Sequence, residues 1–208
     1  MELLVATRNE KKLQEIKELL ADLDLKITSL KDYKGLPEIV ESGETFAQNA
    51  IIKASTIAQF TGKLVLGEDS GLEVKALRLA PGVYSARYAA SNLSENASDK
   101  KNNSKLLREL KGVPLKKRGA RYQCCVALAD SQGLIGVVCG NCRGLIGFKS
   151  RGHLGFGYDP LFIIEKYSKT FAELGPQVKH KMSHRYKALK KARCLMELYL
   201  KKSRPVSS

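Results

Sequence analysis

Short apolar runs and helical repeats alternate from the start of the chain. The run 2–6 predicts a short buried strand. Residues 10–21 predict a helix, because their apolar side chains recur at three- and four-residue spacing, and Asn9 stands at the N-cap position. A second helix is predicted over 45–60, with an apolar stripe formed by Phe46, Ala50, Ala54 and Ile57.

The later apolar segments predict further strands interleaved with helices. A strand over 64–66 is expected to end at the acidic turn Gly-Glu-Asp-Ser-Gly. A polar helix is predicted over 98–110, and residues 120–140 predict a hairpin of two strands around a turn that contains glycine. A strand over 161–164 precedes a last helix that Ser183 can cap, with a stripe formed by Leu189, Ala192, Leu195, Met196 and Tyr199.

This alternation defines the expected fold class. Strands that alternate with helices are typical of parallel sheets, whereas the strands of a hairpin are antiparallel. We therefore expect an α/β fold with a mixed sheet. Because the chain contains no internal repeat, low-complexity tract or linker, we expect a single domain over residues 1–208.

Composition agrees with a folded domain and excludes several classes of protein. The chain has 208 residues, of which 43% are hydrophobic and 27% charged, and these values are typical of globular proteins rather than disordered ones. No apolar run approaches the roughly 20 residues that a membrane helix needs. The N-terminus lacks the basic-then-apolar order of a signal peptide, so we expect a soluble, cytoplasmic protein.

The five cysteines are expected to be free thiols, because their number is odd and no export signal accompanies them. Cys139 and Cys142 form a C-x-x-C motif. That motif follows an apolar strand, whereas a thioredoxin-type motif opens a helix, and a zinc site would need two further ligands. We therefore predict no redox or metal function for this pair.

The net charge of +15 indicates attraction to polyanions, which include nucleic acids, anionic lipids and phosphorylated small molecules. The basic clusters are scattered along the chain, at 116–118, 190–191 and 201–202. A nucleic-acid-binding module is the alternative from another class, and it predicts affinity that falls steeply with salt. Acidic residues at the candidate site described below argue against that alternative.

Residues 5–12, Val-Ala-Thr-Arg-Asn-Glu-Lys-Lys, combine a strand end, a polar turn and a helix start. This arrangement directs backbone N–H groups and the positive end of the helix dipole towards a ligand such as phosphate. No P-loop motif is present, and a simple capped helix is the alternative. Lys53 lies beside the apolar stripe of the second helix, so it is expected to reach an anion or, alternatively, to pack its stem and keep its ammonium group in water.

Three acids form the second candidate feature. Glu68 and Asp69 are adjacent, and closely placed carboxylates share a cation or a proton. Glu41 precedes the second helix. Carboxylates beside a phosphate-binding turn suit Mg²⁺, which uses one or two carboxylates together with phosphate oxygens. A solvated turn is the alternative for each acid.

Two segments near the C-terminus suit a nucleobase. Phe156 and Tyr158, flanked by glycines, can offer aromatic faces for stacking, although aromatic side chains beside a strand are commonly core. His180 and His184 have zinc-ligand spacing, but the segment 179–186 lacks the Glu of H-E-x-x-H, and its lysines and arginine would repel a cation. These hydrogen-bond donors suit an acceptor-rich ligand, and the four features together suit a nucleoside triphosphate.

Five short segments occur in a fixed order over nearly the whole chain. They are Ala-Thr-Arg-Asn-Glu-Lys-Lys, Gly-Glu-Asp-Ser-Gly-Leu, Pro-Gly-Val-Tyr-Ser-Ala-Arg-Tyr, Phe-Gly-Tyr-Asp-Pro-Leu-Phe and Ser-His-Arg-Tyr-Lys-Ala-Leu. In this respect the sequence resembles the inosine/xanthosine triphosphate pyrophosphatase family. The resemblance implies hydrolysis of ITP, dITP and XTP to the monophosphate and pyrophosphate, with Mg²⁺ as cofactor. It also implies an elongated α/β fold with a long mixed sheet, two lobes discontinuous in sequence, a cleft between them, and a homodimer without a dedicated nucleic-acid partner.

The resemblance also implies residue roles by motif position. Asp69 would be the general base, and Glu41, Glu68 and Asp69 would bind the metal. The phosphate-binding residues would be Thr7, Arg8, Asn9, Glu10, Lys11, Lys12, Lys53 and Ser70. The base-binding residues would be Phe156, Gly157, Tyr158, Asp159, Lys179, Ser183, His184 and Arg185. A related hydrolase with a different base preference remains the alternative within the same class.

Overall fold

The computed structural model describes residues 2–92 and 95–203. Its strands are β1 (Glu2–Val5), β2 (Lys26–Ser29), β3 (Leu64–Val74), β4 (Gly119–Asp130), β5 (Gly133–Ile146), β6 (Phe162–Ile164) and β7 (Lys169–Thr170). Its α-helices are α1 (Glu10–Leu19), α2 (Phe46–Thr61), α3 (Asp99–Glu109), α4 (Phe171–Met182) and α5 (His184–Ser203). None of these helices is long and apolar enough to cross a membrane, as far as residues 2–92 and 95–203 are concerned.

Within the described residues, seven strands form one sheet in the order β2-β1-β3-β4-β5-β6-β7. Strand β1 pairs in parallel with β2 and β3, whereas β6 pairs antiparallel with β5 and β7. A two-residue turn joins β4 to β5, which makes them a hairpin. The expectation of an α/β fold with a mixed sheet is therefore confirmed.

The predicted helices α1, α2 and α3 form within a few residues of their expected bounds, and local capping explains why. The side chain of Asn9 accepts a hydrogen bond from the backbone N–H of Lys12, as its N-cap position predicted. Thr45 caps α2 in a capping box with Gln48, and Gly62 ends that helix in the left-handed region at φ +68°. Strands β2 and β7 and helix α4 were not predicted.

The expectation that an acidic turn follows residue 66 is wrong. Strand β3 continues through Glu68 and Asp69 to Val74, and both acids are buried, with exposed fractions of 2% and 5%. Gly67 explains the local structure, because a Cβ there would lie 2.2 Å from the carbonyl oxygen of Ala50 in α2. Gly67 therefore allows α2 to pack directly on β3, and it does not end the strand.

The expectation that all five cysteines are free thiols is also wrong. Cys125 and Cys139 form a disulfide between β4 and β5, with a Cα–Cα distance of 4.2 Å. Cys124, Cys142 and Cys194 do not form one. Cysteine count and spacing do not contain the register of a hairpin, and it is this register that brings Cys125 and Cys139 together.

Two compact units make up the chain: Met1–Asp69, Cys124–Gly140 and Arg185–Ser208 form unit 1, and Ser70–Gln123 and Asn141–His184 form unit 2. The core of unit 1 contains apolar side chains of β1, α1, β4 and α5, among them Leu3, Ile16, Val126 and Met196. The core of unit 2 contains side chains of α3, β6 and α4, among them Leu106, Phe162 and Phe171. One unit boundary falls directly after Asp69 and another directly after His184, and both are predicted site residues.

Candidate active site

The turn between β1 and α1 in unit 1 presents the first group of predicted site residues. The side-chain oxygen of Thr7 accepts a hydrogen bond from the N–H of Asn9 at 3.1 Å, which shapes the turn. Residues 8–11 are exposed, and Glu10 forms an ion pair with Lys31. The Nζ of Lys12 lies 3.0 Å from Oε2 of Glu68. The turn therefore combines a helix N-terminus with a lysine that contacts a buried carboxylate.

The carboxylate of Glu68 is the centre of a buried charge cluster in unit 1. Besides Lys12, the guanidinium of Arg185 contacts Oε1 of Glu68 at 3.3 Å, and the thiol of Cys124 donates to the same oxygen at 3.2 Å. Burial, followed by the nearby Glu68 carboxylate, raises the pKa of Cys124, so this thiol stays protonated as a donor. The three donors compensate the desolvation of the Glu68 carboxylate.

Arg185 lies in unit 1 and not with the other predicted base-binding residues, which belong to unit 2. Its side chain is 1% exposed and is paired with Glu15 as well as Glu68. Burial lowers the pKa of Arg185, but the carboxylates of Glu68 and Glu15 outweigh it and raise the pKa. A buried guanidinium needs such counter-charges, and here the protein itself supplies them. The guanidinium is thus packed against protein carboxylates in this structure, and its predicted role in base binding stays a prediction.

Asp69 forms the second charged group of unit 1 with Lys53 and Glu41. The Nζ of Lys53 lies 3.1 Å from Oδ1 of Asp69 and 3.0 Å from Oε2 of Glu41. Burial lowers the pKa of Lys53, but the charges of Asp69 and Glu41 outweigh it and raise the pKa. The prediction that Lys53 reaches an anion is confirmed, and the alternative of an ammonium group in water is excluded. Its partners in the structure are these two carboxylates and the carbonyl oxygen of Glu68.

Asn49, a residue that the sequence analysis missed, connects this group to the preceding segment. Its Nδ2 donates to Oδ2 of Asp69 at 3.3 Å, and its Oδ1 accepts from the N–H of Gly43 at 2.8 Å. Asn49 is fully buried on α2, next to the apolar stripe. A polar side chain on the buried face of a helix is the signal that could have identified it.

The carboxylates of Glu41 and Asp69 have the chemistry of a divalent-cation site. Both contact one ammonium nitrogen, so their oxygens converge on a point that already holds a positive charge. Within residues 2–92 and 95–203, no group of three or more His, Cys, Asp or Glu side chains is arranged to hold a metal. Mg²⁺ does not need such a cage, because it uses one or two carboxylates together with phosphate oxygens and water. The donor set therefore fits Mg²⁺.

Unit 2 contains the predicted base-binding residues of the loop between β5 and β6. Asp159 is buried, and its Oδ2 accepts hydrogen bonds from the N–H of Phe156 at 3.0 Å and from Nζ of Lys179 at 2.6 Å. Its Oδ1 accepts from the hydroxyl of Tyr122 at 3.4 Å. A Cβ on Gly155, which has φ +81°, would lie 2.2 Å from Oδ2 of Asp159. The glycine is therefore required for the loop to fold around this carboxylate.

The two aromatic side chains of the loop differ in their surroundings. Phe156 is half-buried, and Nζ of Lys179 lies 4.3 Å from its ring centroid. Tyr158 is buried in the core of unit 2 and donates its hydroxyl to the carbonyl oxygen of Ser85 at 2.8 Å. For Tyr158 the structure agrees with the alternative of a core side chain, so Phe156 is the ring of this loop that is partly accessible.

Ser183 and His184 lie at the junction of α4 and α5. The backbone of Ser183 is extended, which interrupts the helix, so His180 and His184 do not share a helical face. The ring of His184 stacks on Tyr122, with centroids 4.6 Å apart and planes 8° apart. Tyr122 thus contacts both His184 and Asp159, and nothing in its sequence context indicated this role. Ser70, the remaining predicted residue, is half-buried in β3.

Comparisons with known proteins agree with this arrangement of motifs. The model of the Ham1 family matches residues 3–194. A dITP/XTP pyrophosphatase of Desulforamulus reducens is 48% identical over 201 residues, which cover 96% of this chain and 98% of that protein. A dITP/XTP pyrophosphatase of Bacillus licheniformis is 44% identical over 196 residues, which cover 94% and 98%.

Solved structures show the same fold. A HAM1 protein from Coxiella burnetii superimposes with a TM-score of 0.85 at 38% identity, covering 95% of this chain and 98% of that one. The Ham1 protein of Staphylococcus aureus gives a TM-score of 0.84 at 34% identity, with coverage of 95% and 98%. Sequence motifs, family match and fold agree along nearly the whole chain: it belongs to the Ham1 family.

Proposed function

We propose that this protein hydrolyses the deaminated purine nucleoside triphosphates ITP, dITP and XTP to the monophosphate and pyrophosphate, and so removes them from the nucleotide pool. Full-length relatives named dITP/XTP pyrophosphatase support the substrate class. The observation that carries the proposal for this chain is the convergence of Glu41 and Asp69 on one buried cation, in the same unit as the β1–α1 turn. A triphosphate with its metal needs this combination of oxygen ligands and positive groups.

In the proposed reaction, a water oxygen bonds to the α-phosphorus while the bond from the α-phosphorus to the bridging oxygen breaks. Pyrophosphate leaves with that oxygen, and the water proton goes to the carboxylate of Asp69. Burial raises the pKa of Asp69 against the opposing charges of Lys53 and Lys12, and a raised pKa favours proton acceptance. Positioned general bases contribute roughly 10²- to 10⁴-fold.

Mg²⁺ is the proposed cofactor, held by Glu41 and Asp69. Bound there, it would supply charge neutralisation for the phosphate oxygens. The carboxylate of Glu68 already contacts Lys12 and Arg185. We therefore propose that Glu68 orients Lys12 and that Arg185 supports Glu68, while the predicted role of Glu68 in metal binding stays a prediction.

Phosphate binding is proposed for the residues of the β1–α1 turn and their neighbours. The N-terminal end of α1, with its positive dipole end, attracts anionic oxygens, and the side chains add further donors and charge. Lys12 and Lys53 are held by carboxylates, so each is positioned before a ligand arrives. The full proposed set comprises Thr7, Arg8, Asn9, Glu10, Lys11, Lys12, Lys53 and Ser70.

Base recognition is proposed for unit 2, with Phe156 as the stacking ring and the segment around Ser183 and His184 as donors. Hypoxanthine and xanthine carry a 6-oxo acceptor where adenine carries an amino donor, so adenine would leave such donors unpaired. Each unpaired buried donor costs about 1–3 kcal/mol, which gives strong discrimination. Within the full proposed set, Phe156, Gly157, Ser183 and His184 would face the base, and Tyr158, Asp159 and Lys179 would hold the loop that presents Phe156.

A substrate panel tests the proposal directly. Pyrophosphate release is measured from ITP, dITP, XTP, ATP and GTP, with Mg²⁺ and with excess EDTA. We expect rapid release from the three deaminated nucleotides with Mg²⁺ only. Activity restricted to ATP or GTP would indicate the related hydrolase with another base preference. No release from any nucleotide, together with salt-sensitive binding to DNA or RNA, would favour the nucleic-acid-binding alternative.

The proposal extends to a homodimer, as the family resemblance implies, and to action on free nucleotides in the cytoplasm, as the N-terminal sequence predicts. Sedimentation velocity of the purified protein measures the mass, and a single species at about twice the chain mass of 23.0 kDa is expected. A monomer at working concentrations would remove the dimer from the proposal without affecting the substrate panel.

A further inference from the structure

Helix α3 contacts the Phe156–Asp159 loop through two polar side chains. Oδ2 of Asp99 accepts a hydrogen bond from the N–H of Gly157 at 2.8 Å. Nδ2 of Asn103 donates to the carbonyl oxygen of Gly157 at 3.0 Å. Asp99 and Asn103 are four residues apart and therefore lie on one face of the helix. Both polar backbone groups of Gly157 are thus held by the same helix.

Gly157 occupies a critical position in this loop. It has φ +63°, a left-handed conformation that glycine adopts without strain, and it follows Phe156 directly. Its N–H belongs to the peptide plane that leads from Phe156, and the N–H of Phe156 is held by Asp159. The backbone is therefore fixed on both sides of Phe156, by Asp159 before it and by Asp99 after it.

Packing does not supply this support on the α3 side. A cavity of about 390 Å³ lies there, lined by Asp99, Asn103, Phe156 and Gly157 together with His153 and Leu154. Tyr158 anchors the loop in the core of unit 2, but at Gly157, beside this open space, hydrogen bonds to α3 hold the backbone. Loss of either bond should therefore change the position of the loop more than a similar loss in a packed core.

The burial of Asn103 lowers the stability of the folded state, which a purely structural role does not explain. Its side chain is 8% exposed, and Oδ1 is buried without a hydrogen-bond partner in the described part of the chain. An unsatisfied buried acceptor destabilises the folded state. The hydrogen bond from Nδ2 to Gly157 is the compensating contact that the structure shows.

We propose that Asp99 and Asn103 are positioning residues for purine recognition. By holding Gly157 they orient Phe156, and with it the ring that stacks on the base. This inference rests on the proposed function, because it takes Phe156 as a base-binding residue. It predicts that the two α3 side chains act on KM for deaminated nucleotides and not on the chemical step.

Asn102 provides a matched control on the same helix. It is also buried, 3% exposed, and also binds backbone groups, namely those of Ala86, Ala89 and Ala97. Among the residues that the structure describes, the side-chain hydrogen bonds of Asn102 do not involve the Phe156–Asp159 loop. Asn102→Ala therefore reproduces the loss of a buried asparagine from α3 without releasing Gly157.

The first measurement compares kcat and KM for ITP in Asn103→Ala, Asp99→Ala and Asn102→Ala, at a temperature where all are folded. One lost hydrogen bond corresponds to about 3- to 10-fold, so we expect KM to rise by that factor in the first two variants with kcat within about twofold. Asp99→Asn retains an acceptor and should restore most of the affinity. Asn102→Ala should leave KM within about twofold.

The second measurement is hydrogen exchange of the Gly157 amide by NMR, without nucleotide. Asp99→Ala should accelerate it about 10-fold or more, and Asn102→Ala should not, at matched stability. Faster exchange without a rise in KM would overturn the positioning role, as would equal KM changes in Asn102→Ala. If the wild-type chain hydrolyses none of the deaminated nucleotides, the proposed function fails and with it this role, while the exchange data still report on the hydrogen bond itself.

Discussion

Two buried Lys–Asp pairs, one in each unit, use the same residue types in different ways. In unit 1, Lys53 is shared between the carboxylates of Asp69 and Glu41. In unit 2, Lys179 contacts Asp159 at 2.6 Å, and Asp159 also accepts from Phe156 and Tyr122. The first pair has more carboxylates than ammonium groups, so a second cation would find oxygen ligands there. The carboxylate of Asp159 in unit 2 already accepts from three donors, and these contacts hold the Phe156–Asp159 loop.

By this difference, Asp69 is suited to binding a cation and accepting a proton, whereas Asp159 is suited to stabilising the fold. A buried ion pair is held by its hydrogen bonds as much as by its charges, and removal of one partner leaves the other desolvated. Lys53 would retain Glu41 if Asp69 lost its charge, whereas Lys179 would lose Asp159, the carboxylate that it contacts at 2.6 Å.

Asp69→Asn should have the largest effect, on activity rather than stability. We expect kcat for ITP to fall by roughly 10²- to 10⁴-fold, because the general base is lost while the side-chain shape is kept. Circular dichroism and urea unfolding should show a folded chain. Near-native turnover in this variant would rule out Asp69 as the base.

Asp159→Asn should give the opposite result, a large loss of stability. Removal of the charge leaves Lys179 buried without its carboxylate, and breaking a buried pair in this way costs about 3–5 kcal/mol of unfolding free energy. Urea unfolding of both Asp variants provides the comparison. If Asp69→Asn were destabilised as much as Asp159→Asn, the contrast between the two pairs would be lost.

Lys53→Met should increase the affinity for Mg²⁺ in the absence of nucleotide. The variant leaves Glu41 and Asp69 facing each other without a cation, so a divalent ion relieves their repulsion. We expect about tenfold tighter Mg²⁺ binding, measured as a larger Mg²⁺-dependent rise in Tm than in the wild type. Lys63→Met, which removes the partner of Glu2 instead, is the control. An identical Mg²⁺ response in all three proteins would argue against a metal site at Glu41 and Asp69.

Glu2→Gln should have the smallest effect, because its pair with Lys63 is at the surface. Hydrogen bonds from Lys63 and Tyr33 lower the pKa of Glu2 from its ordinary 4.5 to about 2. A lowered pKa in the folded state contributes stability above the ordinary value, and this contribution is lost as pH falls towards the folded value. The difference in unfolding free energy between wild type and variant should therefore shrink between pH 4.5 and pH 2. A difference that stays constant over this range would contradict the assignment.

Local interactions explain what the sequence alone determined. The cap at Asn9, the apolar stripe of α2 and the hairpin between β4 and β5 depend on residues within a few positions of one another, and periodicity and turn chemistry report these directly. The order of five short segments was enough to indicate the family. The pattern of apolar positions therefore predicted the α/β class and the mixed sheet, and the resemblance of the five segments predicted the family.

Tertiary structure alone decided which charges meet. Glu68 and Arg185 are 117 positions apart, and Asp69 and Lys53 are 16 apart, so their contacts depend on how strands and helices pack. The same holds for the Cys125–Cys139 disulfide, for Tyr158 in the core and for the hold of α3 on Gly157. A segment rich in Gly, Asp and Ser predicts a turn by local propensity. Here α2 packs on Gly67 and places Lys53 beside Asp69. Because the ammonium group compensates the charge of Asp69, the segment remains a buried strand.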